Sequence, residues 1–138
     1  MSRVINPDST GKQRTQLSKA IVLAVRELAR QKDVTDQTRD LAAFIAIALQ
    51  IIADGIDVSV AAWEKRDYWI KADKFRMEWA WAGQIAEKMR ASVLLEDWTS
   101  VAVLSAQIAQ KLAKVQVSEN HRLGKPWVGS FKQLTLNQ

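Results

Sequence analysis

The chain has 138 residues, of which 48% are hydrophobic and 25% charged, with a net charge of +5, one histidine and no cysteine. Such a length suits one domain whose core needs no covalent staples. The missing cysteines exclude disulfides, thiolate catalysis and thiolate metal sites, and fit the reducing cytoplasm expected as its location.

The N-terminal MSRVINPDSTGK has no apolar h-region, so no secretory leader is expected. Charge is laid out unevenly. Residues 1–32 carry seven Lys/Arg against two acids, and residues 33–68 carry seven acids against three bases. Residues 69–97 balance, and residues 98–138 return to a net +4. A basic first segment beside an acidic second one favours an antiparallel hairpin. Of five glycines and two prolines, only Gly55 and Gly83 lie away from the terminal segments. The middle of the chain is rich in good helix formers and lacks sustained two-residue alternation, so an all-α fold is predicted.

Helix one is predicted from about residue 9 to 32, capped by Ser9 or Thr10, with Leu17, Ile21, Ala24, Val25 and Leu28 on one face. A turn over Asp33–Asp36 follows, with Thr35 or Asp36 capping helix two, residues 36–64. At about 100° per residue, Arg39, Gln50, Asp54, Asp57 and Glu64 share one polar stripe, while Ile45, Ile52, Ile56 and Trp63 share another face. The phase survives Gly55, which predicts one unbroken helix. Its apolar run from Leu41 to Ala53 is shorter than the ~20 residues a membrane span requires, so it reads as a buried helix with no membrane partner.

Helix three is predicted over residues 69–93, with Ala72, Phe75, Trp79, Ala82, Ala86, Met89 and Val93 inward. Helix four, residues 97–117, should turn Trp98, Val101, Ala102, Ser105, Ile108, Ala109, Leu112 and Val115 inward. Short connections make an up-down four-helix bundle. Residues 118–138, broken by Gly124, Pro126 and Gly129, read as a non-helical C-terminal tail that Trp127, Phe131 and Leu134 anchor.

The segment WEKRDYWIKADKFRMEWAW, residues 63–81, holds four of the six tryptophans and the only tyrosine among five Lys/Arg. Trp63, Ile70, Met77 and Trp81 form a second apolar stripe off the core face, which either packs on a second neighbouring helix, as a bundle helix ordinarily does, or serves a contact between two copies. Trp69, Lys74 and Arg76 complete the candidate set, because cations beside indoles can also hold an anionic aromatic ligand. Asp67, Asp73 and Glu78 nearly cancel those cations, which argues for solvated i,i+4 pairs such as Lys74–Glu78 and against nucleic acid.

No catalytic motif occurs. A di-iron bundle needs Glu-x-x-His motifs on two helices, whereas the lone His121 lies in the tail. Asp54, Asp57 and Glu64 read as a solvated acidic stripe paired with helix-one cations. No metal, no cofactor and no enzymatic activity are therefore expected. The WEKRxYWxKADxFRxEW centre followed by HRLGKPW resembles small all-helical bacterial proteins without an assigned activity. That resemblance implies a helical fold and transfers no functional residue. The leading functional expectation is a non-catalytic interaction module forming a homodimer through aromatic residues of helices two and three. The alternative is a small-ligand or anion sensor with a Trp-lined pocket, and weak nucleic-acid binding through the basic termini ranks third.

Overall fold

The computed structural model describes residues 7–136, and side chains from residue 9 onward. Its helices are α1 (Pro7–Ala29), α2 (Asp36–Lys65), α3 (Trp69–Leu94), α4 (Trp98–Lys111) and α5 (Ser130–Leu136). Among the described residues there is no strand. The four long helices pack into an all-α up-down bundle, sequential helices reversing across short connections.

The thirty residues of α2 form the axis, with α1, α3 and α5 packed around it. Between Leu41 and Leu49 every side chain except Ile47 is buried, as expected of a helix that is apolar all round and enclosed by neighbours. By length and composition α2 as a whole could cross a membrane, although the uninterrupted apolar run within it is short. In this fold 61% of its most apolar stretch is buried by the rest of the chain. The predicted continuity through Gly55 holds, and Arg39, Gln50, Asp54, Asp57 and Glu64 lie on its more exposed side. Gly55 itself packs against α1, where an added Cβ would sit 3.6 Å from Thr10 Cβ.

Local chemistry sets most of the helix ends. Thr35 is the N-cap of α2 and forms a reciprocal capping box with Thr38. The ends of α2 and α3 repeat one device. Tyr68 N–H donates to Trp63 O and Asp67 N–H to Glu64 O. Asp97 N–H donates to Ser92 O, and Glu96 N–H to Val93 O. These are Schellman closures, with Asp67 (φ 62°) and Glu96 (φ 53°) in the left-handed position that glycine usually holds. The two tight reversals set α3 beside α2 and α4 beside α3.

Four boundary expectations are corrected. Thr10 does not cap α1, which begins at Pro7; it is buried inside the helix and its hydroxyl lies 3.0 Å from Ser59 Oγ of α2. The C-terminus of α1 comes at Ala29 rather than Lys32, because Arg30 and Gln31 N–H groups turn back to Glu27 and Leu28 carbonyls in a tightened last turn. Lys111 ends α4, short of Val117. Leu112 is its last buried contact, and the β-branched Val115 and Val117 beyond it are weak helix formers.

The fourth correction concerns the tail, which is not wholly non-helical: Ser130–Leu136 form α5. Asp40 of α2 supplies the reason. Its carboxylate accepts hydrogen bonds from Gly129 N–H at 3.1 Å and Phe131 N–H at 2.9 Å, so a side chain 90 residues away satisfies donors at the start of a short helix. Trp127 and Leu134 are buried and Phe131 half-buried, as the anchoring expectation required.

Candidate functional site

The inward face of α3 mixes small and large side chains. Ala72, Ala82 and Ala86 are buried together with Ile85, Met89 and Val93. Gly83 approaches α2 closely enough that an added Cβ would lie 3.5 Å from Ala53 Cβ. Phe75 and Trp79, predicted inward, are half-buried at the edge of this contact.

Between the helices runs a chain of ring contacts. Trp63 of α2 meets Phe75 of α3 edge-on, centroids 4.9 Å apart, and Trp79 stacks on Trp81 at 5.7 Å. Arg14 of α1 bridges them, its guanidinium carbon 4.9 Å from the Phe75 ring centre and 5.7 Å from that of Trp79. Partial burial lowers the Arg14 pKa, and the attraction of Glu78 opposes that shift. Lys71 caps the other side, with Nζ 4.5 Å from the Trp63 ring centre. Most of this aromatic cluster is therefore an intrachain clamp holding α1, α2 and α3 together.

Arg76 belongs to the same framework. It bonds to Asp73 within α3 and to Glu64 of α2, the latter at 2.9 Å. The hydrogen bonds it donates to Asp73 and then to Glu64 raise its pKa above the ordinary arginine value. Glu64 thus pairs with α3, not with helix-one cations as expected, and Asp54 accepts from Gln50 within α2 at 2.9 Å. Among the described residues no group of three or more acidic or histidine side chains gathers to hold a metal.

The outward face of α3 is different. Ile70 is 75% exposed and Met77 72%, with Trp69 at 53% and Tyr68 at 54% beside them. Lys74 is exposed between Ile70 and Met77 on the same helical face, and Trp81, one turn further on, is half-buried. Tyr68, Trp69, Ile70 and Lys71 line a shallow depression at the α2–α3 turn. The candidate residues therefore divide. Trp63, Arg76 and Trp81 are engaged within the chain, whereas Trp69, Ile70, Lys74 and Met77 face outward, so no single seam joins all seven.

Tyr68 escaped the sequence reading because it falls in a turn. The signal was nonetheless present: three successive bulky residues, Tyr68, Trp69 and Ile70, cannot all point inward at the start of one helix. Comparison with known family models, curated proteins and solved structures finds no match to this chain.

Proposed function

We propose that the chain is a non-catalytic helical interaction module that forms a homodimer through the outward face of α3. The observation that carries this reading is the exposure of large apolar side chains on that helix. Ile85 and Met89 are buried on its inner face, while Ile70 and Met77, side chains of the same two types, stand in solvent. Contiguous exposed apolar surface of this kind usually marks a contact.

A second copy suits the face better than an anionic polymer does. Lys71, Lys74 and Arg76 are matched in number by Asp67, Asp73 and Glu78, so two such faces meet without net repulsion and offer nucleic acid no net attraction. In a two-fold contact each patch must pair with itself. Antiparallel crossing of two α3 helices near Lys74 and Met77 sets Ile70 of each copy toward Trp81 of the other, with the Lys74 stem lying over Met77. Dilution-series ultracentrifugation tests this. A concentration-dependent dimer is expected, lost in Met77→Glu while helical content stays intact. A wild-type chain that remains monomeric up to about 1 mM overturns the proposal.

The ligand-sensor reading draws on a narrower observation. Trp63, Lys71, Lys74 and Phe75 line an open hollow of about 510 Å³. Its cations are already partly committed, Lys71 to the Trp63 ring and the nearby Arg76 to Glu64 and Asp73. It therefore ranks second.

A further inference from the structure

The reversal from α2 to α3 and the reversal from α3 to α4 share one backbone closure but not one chemistry. By the matching hydrogen bonds, Arg66, Asp67 and Tyr68 of the first correspond to Leu95, Glu96 and Asp97 of the second, and Trp69 corresponds to Trp98. At the second turn the Asp97 carboxylate caps α4, and Trp98 is half-buried against the core. At the first, Tyr68 supplies no side-chain cap, and Trp69 stands 53% exposed beside it. The turn geometry by itself therefore does not force a tryptophan at this position into solvent.

Charge separates the two turns in the same way. Residues 65–71 hold Lys65, Arg66 and Lys71 against Asp67 alone, and all seven residues are exposed. Even with Glu64, Asp73 and Arg76 counted, residues 64–76 keep five cations against three acids. The corresponding residues 93–105 carry Glu96 and Asp97 and no cation. The positive end of the α3 dipole, with no acidic residue in its first turn, adds to the field at the first turn. Behind that turn the Arg76–Glu64 pair and the Trp63–Phe75 contact brace α2 against α3, so the two exposed rings are presented at little ordering cost.

Indole and phenol rings favour the boundary between lipid headgroups and acyl chains, and nearby lysine and arginine gain from anionic lipid. We infer that the α2–α3 turn is a peripheral docking point for an anionic membrane surface, with Tyr68 and Trp69 entering the headgroup boundary and Lys65, Arg66 and Lys71 on lipid phosphates. No helix enters the bilayer in this arrangement. Ile70 lies on the flank shared with the self-contact face, whereas Lys65, Arg66, Tyr68 and Trp69 lie outside it, so the inference does not rest on dimerisation.

Co-sedimentation of the full-length chain with vesicles tests it, comparing about one-third phosphatidylserine in phosphatidylcholine with phosphatidylcholine alone. Binding to the anionic vesicles is expected, weakening as salt rises from about 0.1 M to about 0.5 M. Lys65→Gln combined with Arg66→Gln should weaken it about 30-fold. Trp69→Ala should weaken it about tenfold and leave the thermal transition in place. Lys19→Gln combined with Arg26→Gln removes the same charge from the exposed side of α1 and should change binding less than about threefold.

Binding no tighter to anionic than to neutral vesicles overturns the inference, as does wild-type binding by Trp69→Ala. An equal loss in the α1 pair also overturns it, because net charge alone would then account for the attraction. A single-stranded oligonucleotide that binds more tightly than the vesicles at the same salt, and loses affinity with Lys65 and Arg66 neutralised, would assign the turn to nucleic acid instead.

Discussion

Met89 and Met77 sit on one helix, twelve residues apart, and share a side chain but not an environment. Met89 has no exposed surface, whereas Met77 keeps 72% of its own. The difference lies in what the bundle places opposite each position. α2 lies against the inner side of α3, and among the described residues no helix covers the outer side at Met77. The contrast teaches that an apolar stripe in a sequence shows a surface that avoids water, not which neighbour removes the water.

The largest effect comes from testing that contrast directly. Met89→Ala should cost about 3 kcal/mol in chemical denaturation, through lost transfer energy and the cavity left behind. Met77→Ala should stay within about 0.5 kcal/mol when measured below the dimerisation range. Comparable losses at the two positions would break the comparison.

Asp40→Ala probes a second closure of the interior. Removing the carboxylate leaves the Gly129 and Phe131 N–H groups without their acceptor, at about 2 kcal/mol. Limited proteolysis should then cut within residues 118–136 much faster, and an unchanged cleavage rate would show that Trp127 and Leu134 hold the tail unaided.

Gly83→Ala sharpens the account of the inner face. Its new methyl would meet Ala53 Cβ at an ordinary 3.5 Å, so the gain in helix propensity should appear as about 0.5–1 kcal/mol of added stability. A loss would mean that α2 and α3 tolerate no extra volume there. Gly55→Ala, 3.6 Å from Thr10 Cβ, should behave alike.

The smallest effect concerns the end of α3, where the chain turns into α4. Asp97 accepts from the Ser100 hydroxyl at 2.7 Å and from the Ser100 N–H at 3.2 Å, and these bonds, in that order, lower its pKa. A carboxylate with a depressed folded pKa stabilises the fold above its unfolded pKa and loses that contribution as pH falls through the folded value. The stability gap between wild type and Asp97→Ala should therefore be widest near neutrality and close in acid, below the ordinary aspartate range. A gap independent of pH would assign the cap to geometry alone.

Much of the architecture was legible from periodicity and capping chemistry. The unbroken α2, the start of α3 at Trp69, the Thr35 cap and the inward row Ala72, Ala82, Ala86, Met89 and Val93 follow from residues close in sequence. Other features depended on distant partners. α5 leans on Asp40, and Thr10 turned from an expected cap into a buried link to Ser59. The two-helix aromatic seam divided because Phe75, Lys71 and Arg14 claimed the rings of Trp63 and Trp79.

By itself the sequence determined where the four long helices lie, though not all of their ends, and which residues share a face, because backbone hydrogen bonding and the 3.6-residue repeat act over a few residues. Only the tertiary structure decided which of those faces are covered. That choice rests on packing between helices far apart in the chain, and it left Trp69, Ile70 and Met77 in solvent.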